Sequence, residues 1–205
     1  MDNNITGIVL AGGKSSRMGK NKALIKFKGK TIIEDIVDKL VPVSKEIIIS
    51  ASDDSYNFLD LQTVRDEIPE CGPLGGMYSC MKFAKENAFL VVSCDLPFIS
   101  NALLEYMISQ INNYDAIIPI DSNGRYQPLC ACYNKSCLAD IQISMQRGEY
   151  KIMKAIENLN IKFIPINANS PFYSEKMFYN VNYPSDFEKI NEDRITNSSI
   201  INKLR

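Results

Sequence analysis

Short apolar, β-branched runs alternate along the chain with segments whose apolar residues recur at helical spacing. Ile5–Leu10 is such a run, closed by Gly12 and Gly13, and reads as a buried strand opening into a loop. In Lys30–Val41 the apolar residues Ile32, Ile33, Ile36, Val37 and Leu40 share one face, which predicts a helix that Pro42 stops. Glu46–Ser50 predicts a second buried strand and Leu61–Arg65 a weaker third. After the turn signal Gly72-Pro73, residues Leu74, Met77, Tyr78 and Met81 again share a helical face. Ala88–Ser93 is the strongest strand pattern, and Pro97 breaks the backbone just beyond it. Ala102–Ile111 reads as a helix and Asp115–Ile120 as a strand despite Pro119. Asn123-Gly124 is a hairpin-type turn with Tyr126–Tyr133 as its returning strand. Helices over Cys137–Met145 and Tyr150–Leu159 and a strand over Ile161–Ile166 complete the pattern.

Apolar strands separated by amphipathic helices predict an α/β fold: a three-layer, Rossmann-like, mostly parallel sheet with helices on both faces. The turn at Asn123 adds some antiparallel pairing. There is no internal repeat. One domain over residues 1–190 accounts for the pattern, and the polar, Asn/Ser-rich residues 191–205 are expected to form a frayed tail. The N-terminus has no basic region before its apolar run, and no stretch approaches the roughly 18 apolar residues of a membrane span. A cytoplasmic protein with no membrane partner is expected.

Composition narrows the chemistry. With 205 residues, 45% of them hydrophobic and 23% charged, the chain can bury a sizeable core without disulfide or metal staples. The formal net charge is -1, from 23 basic and 24 acidic residues, so a nucleic acid is not an expected partner and any bound polyanion is small and locally held. Histidine is absent, which excludes Ser-His-Asp and Cys-His catalysis and His-ligated metals. Six cysteines form no CxxC pair; Cys130 and Cys132 sit in an apolar run, and all six read as small buried hydrophobes.

The first strand leads into LAGGKSSRMGKNK. Gly12, Gly13 and Gly19 let the backbone turn and come close to a ligand, and exposed amides in such a loop cradle anions. Lys14, Arg17, Lys20 and Lys22 place four cations in nine residues with no acid among them. In a chain of near-zero charge, a triphosphate explains that concentration. The loop is neither a Walker A motif, since Asn21 stands where Ser or Thr is required, nor a dinucleotide fingerprint, since Gly12 and Gly13 are adjacent. Asp95 follows the strongest strand. In open α/β sheets that position faces the crevice, and an isolated carboxylate there suits Mg²⁺.

These residues carry a resemblance. LAGG…RMGKNK, Cys94–Phe98 (CDLPF), Asp66 followed by Gly72–Gly76 (GPLGG), Gln127–Tyr133 (QPLCACY) and Asn180–Phe187 (NVNYPSDF) occur in the order found in nucleotidyltransferases of the molybdenum cofactor guanylyltransferase type, over Ile5 to Phe187. The chain differs in having Asn21 for an acid, Gly75 for Ala, Ser50 for a frequent Asn and Tyr183 for Thr. The resemblance implies a nucleotide-diphospho-sugar transferase type of sheet. It implies nucleotide contacts from Leu10, Ala11, Gly12, Gly13, Lys22, Ser50, Asp66 and Asp95. It implies catalytic roles for Arg17, Lys22 and Asp95, Mg²⁺ on Asp95, and Asn180 and Asn182 near the acceptor. The implied reaction moves GMP from GTP to molybdopterin-bound molybdenum cofactor, among partners that extend to other cofactor-biosynthesis or molybdoenzyme-maturation proteins. A cytidylyl- or sugar-phosphate nucleotidyltransferase and a non-catalytic nucleotide-binding module remain open at this point.

Overall fold

The computed structural model describes residues 4–12, 21–27, 29–183 and 185–186. The expectations placed on Gly13, Lys14, Arg17, Gly19 and Lys20, and on the tail 191–205, lie outside the described residues. Seven strands form the main sheet: β1 (Ile5–Leu10), β4 (Glu46–Ser50), β5 (Gln62–Val64), β6 (Ala88–Ser93), β7 (Ala116–Ile120), β8 (Cys130–Asn134) and β9 (Ile161–Pro165). Their order is β5-β4-β1-β6-β8-β7-β9. All neighbours are parallel except β8, which runs antiparallel between β6 and β7. Two-residue strands β2 (Lys26–Phe27) and β3 (Lys30–Thr31) pair separately as a hairpin.

The β-branched runs explain the three layers. In β1, β4 and β6 successive side chains point to opposite faces, and both faces are apolar. On one face Ile5, Val9, Ile49, Leu90 and Val92 pack beneath helices α1 (Ile32–Leu40) and α3 (Asn101–Gln110). On the other, Ile8, Leu10, Ile48, Phe89 and Val91 pack beneath α2 (Pro73–Phe83), α4 (Cys137–Gln146) and α5 (Ile152–Ala155). No helix of the described residues is long and apolar enough to cross a membrane.

Three elements differ from the sequence pattern. The helix expected from Lys30 starts at Ile32, because Lys30–Thr31 belong to the small hairpin and Thr31 closes a capping box with Glu34. The returning strand expected from Tyr126 starts at Cys130. Pro128 has no amide to give a ladder, and its carbonyl accepts the Tyr133 hydroxyl at 2.6 Å. The helix expected over Tyr150–Leu159 is a single turn, Ile152–Ala155, since Ile156 leaves the helical region at φ -113°.

The chain leaves β1 toward β4 and β5, then crosses back to β6 on the other side. That reversal opens a crevice at the carboxyl ends of the strands, beside β1.

Candidate active site

Four parallel strands end in one row. Leu10 pairs with Ser50 on one side and Ser93 on the other, and Ser50 pairs with Val64. The ladder continues one residue past this row through Ala11 N–H to Ser50 O (3.0 Å), Ala51 N–H to Val64 O (3.1 Å) and Cys94 N–H to Leu10 O (3.1 Å). Asp66 and Asp95 each lie two residues beyond their strand ends, so the same sheet geometry presents both carboxylates to the crevice. They stand after β5 and β6, three strand spacings apart, or roughly 14 Å.

Two adjoining cavities fill the crevice. The larger, about 730 Å³, is lined by Gly12, Ser50, Arg65, Asp66, Gly72 and Gly76 among others. Here the GPLGG segment is the start of α2: Gly72 is its N-cap at φ 60°, a backbone conformation that favours glycine, and Pro73 occupies the first turn. A Cβ on Gly76 would lie 2.3 Å from Ser50 Oγ and 3.2 Å from Asp66 Oδ1, so this glycine is what lets the helix end approach the two side chains. Burial raises the Asp66 carboxyl above the ordinary carboxylate range, and a hydrogen bond with Ser50 partly opposes that rise. The helix N-terminus faces the same space and favours negative charge there.

The smaller cavity, about 420 Å³, contains Asp95 and Lys22. Lys22 opens a short 3-10 turn, Lys22–Leu24, and its ammonium donates to Asn182 Oδ1. Asn182 is held in turn: its amide and that of Tyr183 donate to Asp186 Oδ2 at 2.8 and 2.9 Å, and Val181 N–H donates to the Asp95 carbonyl at 2.9 Å. The C-terminal segment therefore docks beside Asp95 and brings Asn182 onto Lys22. The Asp95 carboxylate takes no hydrogen bond from a described residue, which leaves its oxygens for a ligand. Among the described residues no three His, Cys, Asp or Glu side chains cluster as a metal site. A hard cation here would draw most of its oxygens from a ligand's phosphates and from water, as Mg²⁺ commonly does, and the lone Asp95 fits that use.

Cys94 also lines this cavity, but burial, reinforced by the neighbouring Asp95 charge, pushes its thiol up to about 12. It is not poised as a nucleophile. The other five cysteines are free and buried, the state expected from the sequence.

The structure thus gathers Leu10, Ala11, Gly12, Lys22, Ser50, Asp66, Asp95 and Asn182 around one crevice. Asn180 is exposed and lines neither cavity. Sequence reasoning missed Tyr56, Arg65, Ser93 and Leu129. Tyr56 and Arg65 carry no motif, but both lie in loops that follow carboxyl ends of parallel strands, and that rule was the available signal.

Comparison with known proteins places this geometry. The sequence profile of the MobA-like NTP transferase domain matches residues 7–161. A probable molybdenum cofactor guanylyltransferase of Carboxydothermus hydrogenoformans is 32% identical over 188 residues, covering 91% of this chain and 95% of its own. Among solved structures, molybdopterin-guanine dinucleotide biosynthesis protein A from Archaeoglobus fulgidus is similar with a TM-score of 0.75 at 24% identity, covering 93% of this chain and 99% of that one. The 2-C-methyl-D-erythritol 4-phosphate cytidylyltransferase from Thermus thermophilus is similar with a TM-score of 0.65 at 11% identity, covering 87% and 93%. The last two likenesses are likenesses of fold.

Proposed function

Because this chain belongs to the MobA-like NTP transferase domain family, we propose that residues 1–190 form one catalytic domain. It transfers GMP from GTP to the phosphate of molybdopterin-bound molybdenum cofactor, yielding the guanine dinucleotide cofactor and pyrophosphate. The observation that carries this reading is the meeting of Lys22 and Asp95 in one cavity, with Asn182 bonded to the Lys22 ammonium, next to a second cavity that presents Asp66 under a helix N-terminus. The name of the Carboxydothermus relative supports the choice of nucleotide and acceptor.

The larger cavity takes the guanosine, with Ser50 and Asp66 contacting the nucleoside and Leu10, Ala11, Gly12 and Gly13 contributing to nucleotide binding. An oxygen of the acceptor phosphate attacks the α-phosphorus in line. The bond from that phosphorus to the bridging oxygen breaks, and pyrophosphate leaves with the electron pair. The acceptor oxygen is already anionic near neutral pH, so the step requires no general base, in keeping with a chain that has no histidine. Lys22 and Arg17 neutralise the charge that accumulates on the departing pyrophosphate. A divalent cation, Mg²⁺ in this reading, is held by Asp95 and supplies charge neutralisation at the α-phosphate. Asn182, through its bond to Lys22, borders the acceptor side, and Asn180 is assigned to the acceptor with it.

The fold shared with a cytidylyltransferase makes CTP the competing donor. Incubation with labelled GTP or CTP, with and without the pterin acceptor, decides between them. Acceptor-dependent pyrophosphate release from GTP is expected. Release from CTP alone would replace the donor, and triphosphate binding without release in the presence of acceptor would reduce the protein to a binding module.

A further inference from the structure

We propose that Tyr56 is a positioning residue that ties together the two stems of the phosphate-binding loop. Its phenolic oxygen lies 3.1 Å from the carbonyl of Ala11, where the chain leaves β1, and 3.0 Å from Oδ1 of Asn21, where the chain enters the turn carrying Lys22. The same Oδ1 accepts the Ala23 amide at 3.1 Å. Asn21 is therefore an N-cap whose oxygen also receives the tyrosine. The proposal rests on reading Gly12 to Lys22 as the triphosphate loop.

The placement of Tyr56 is specific. Its ring is 2% exposed and packs in the same core cluster as Ala23, Ile33 and Ala51, while its oxygen end reaches the smaller cavity beside Lys22. A buried phenol needs a partner for its O–H, and here one proton serves two acceptors, one on each stem. Burial pushes the Tyr56 hydroxyl up to about 12, so it remains a donor throughout the neutral range. Nothing in the transfer reaction uses this group. What it does is fix how far apart the two stems stand, so that a ligand spanning them does not have to bring them together on binding.

A tie between the stems matters to a ligand that occupies the loop with its β- and γ-phosphates, and much less to one that ends at the α-phosphate. Tyr56→Phe removes only the oxygen and keeps the ring in the core. We expect wild-type protein with Mg²⁺ to bind GTP, or CTP if that is the better ligand, about three- to tenfold more tightly than Tyr56→Phe does, the scale of one hydrogen bond. Binding of the matching nucleoside monophosphate should change less than twofold, on the order of experimental scatter in such a comparison. A merely structural tyrosine would weaken both ligands alike through a lowered melting temperature. Asn21→Leu, which removes the second acceptor, should reproduce the Tyr56→Phe loss of triphosphate over monophosphate binding and carries the test if Tyr56→Phe does not fold. Equal triphosphate affinity in wild type and in Tyr56→Phe or Asn21→Leu, or equal losses for tri- and monophosphate, overturns the tie while leaving the transfer reaction standing. A wild-type chain that binds no triphosphate overturns both.

Discussion

At the scale of single residues, Lys22 and Asp95 differ from their neighbours in what they leave unused. Asp95 offers a carboxylate that no described side chain or amide engages, and among the described residues Lys22 is committed only to a neutral amide oxygen. Both are free to exchange those states for phosphate and cation. Asp95→Asn and Lys22→Ala should each lower kcat/KM with GTP by about 10²- to 10³-fold, the usual loss for one group that stabilises transition-state charge. Melting curves should stay close to wild type, since neither side chain supports the core. Asp66 has the opposite character. Its carboxyl is raised above its ordinary value of 3.8 by burial, so the folded chain holds that proton more tightly than the unfolded one. The fold is then least burdened by this group below 3.8 and loses stability as pH rises through the elevated folded value. Asp66→Asn should therefore melt higher than wild type at pH 7, with the gap closing toward acid, while nucleotide binding weakens. A fall in melting temperature at pH 7 would contradict this account.

At the scale of elements, the start of α2 is set by close approach. Gly76→Ala would place a methyl group 2.3 Å from Ser50 Oγ, forcing the helix end away from β4 and disturbing Asp66 with it. A loss of about 1–3 kcal/mol in unfolding free energy is expected, the range for overpacking a filled site. Adding Ser50→Ala removes the nearest atom and leaves Ser50 Cβ at 3.4 Å and Asp66 Oδ1 at 3.2 Å, so the double variant should recover most of that stability. Denaturant midpoints for the four proteins of the cycle measure it. The role of GPLGG as a helix start was legible in the sequence because Gly-Pro punctuation is local. The position of β8 was legible only in part: the Asn123-Gly124 turn sets it antiparallel beside β7, but not beside β6. Nothing in Cys130–Asn134 indicates that its other edge takes β6, since that pairing joins residues far apart in the chain. The β2–β3 hairpin escaped for the opposite reason: two-residue strands are too short to show a period, and only Gly29 at φ 87° marks the turn.

At the scale of the whole molecule, the buried strands were legible because both faces of the sheet are covered, which makes β1, β4 and β6 continuous apolar runs. The crevice followed from them, since the rule that ligands lie beyond strand ends converts strand boundaries into a site. What the sequence could not show was the docking of the C-terminal segment. Asn182 is 160 positions from Lys22, and the segment that brings it there is held by Val181 on the backbone of Asp95 and by Asp186 on the Asn182 amide.

The protonated state of the Cys94 thiol has a consequence for how the protein tolerates oxidants. Peroxides and alkylating reagents attack thiolates, and this crevice offers almost none near neutral pH. Enzyme treated with hydrogen peroxide or iodoacetamide at pH 7 should retain its rate of pyrophosphate release, with mass spectrometry finding Cys94 unmodified. Rapid inactivation traced to Cys94 would refute that. Oxidation at Cys94 is then not a route by which the transfer rate falls.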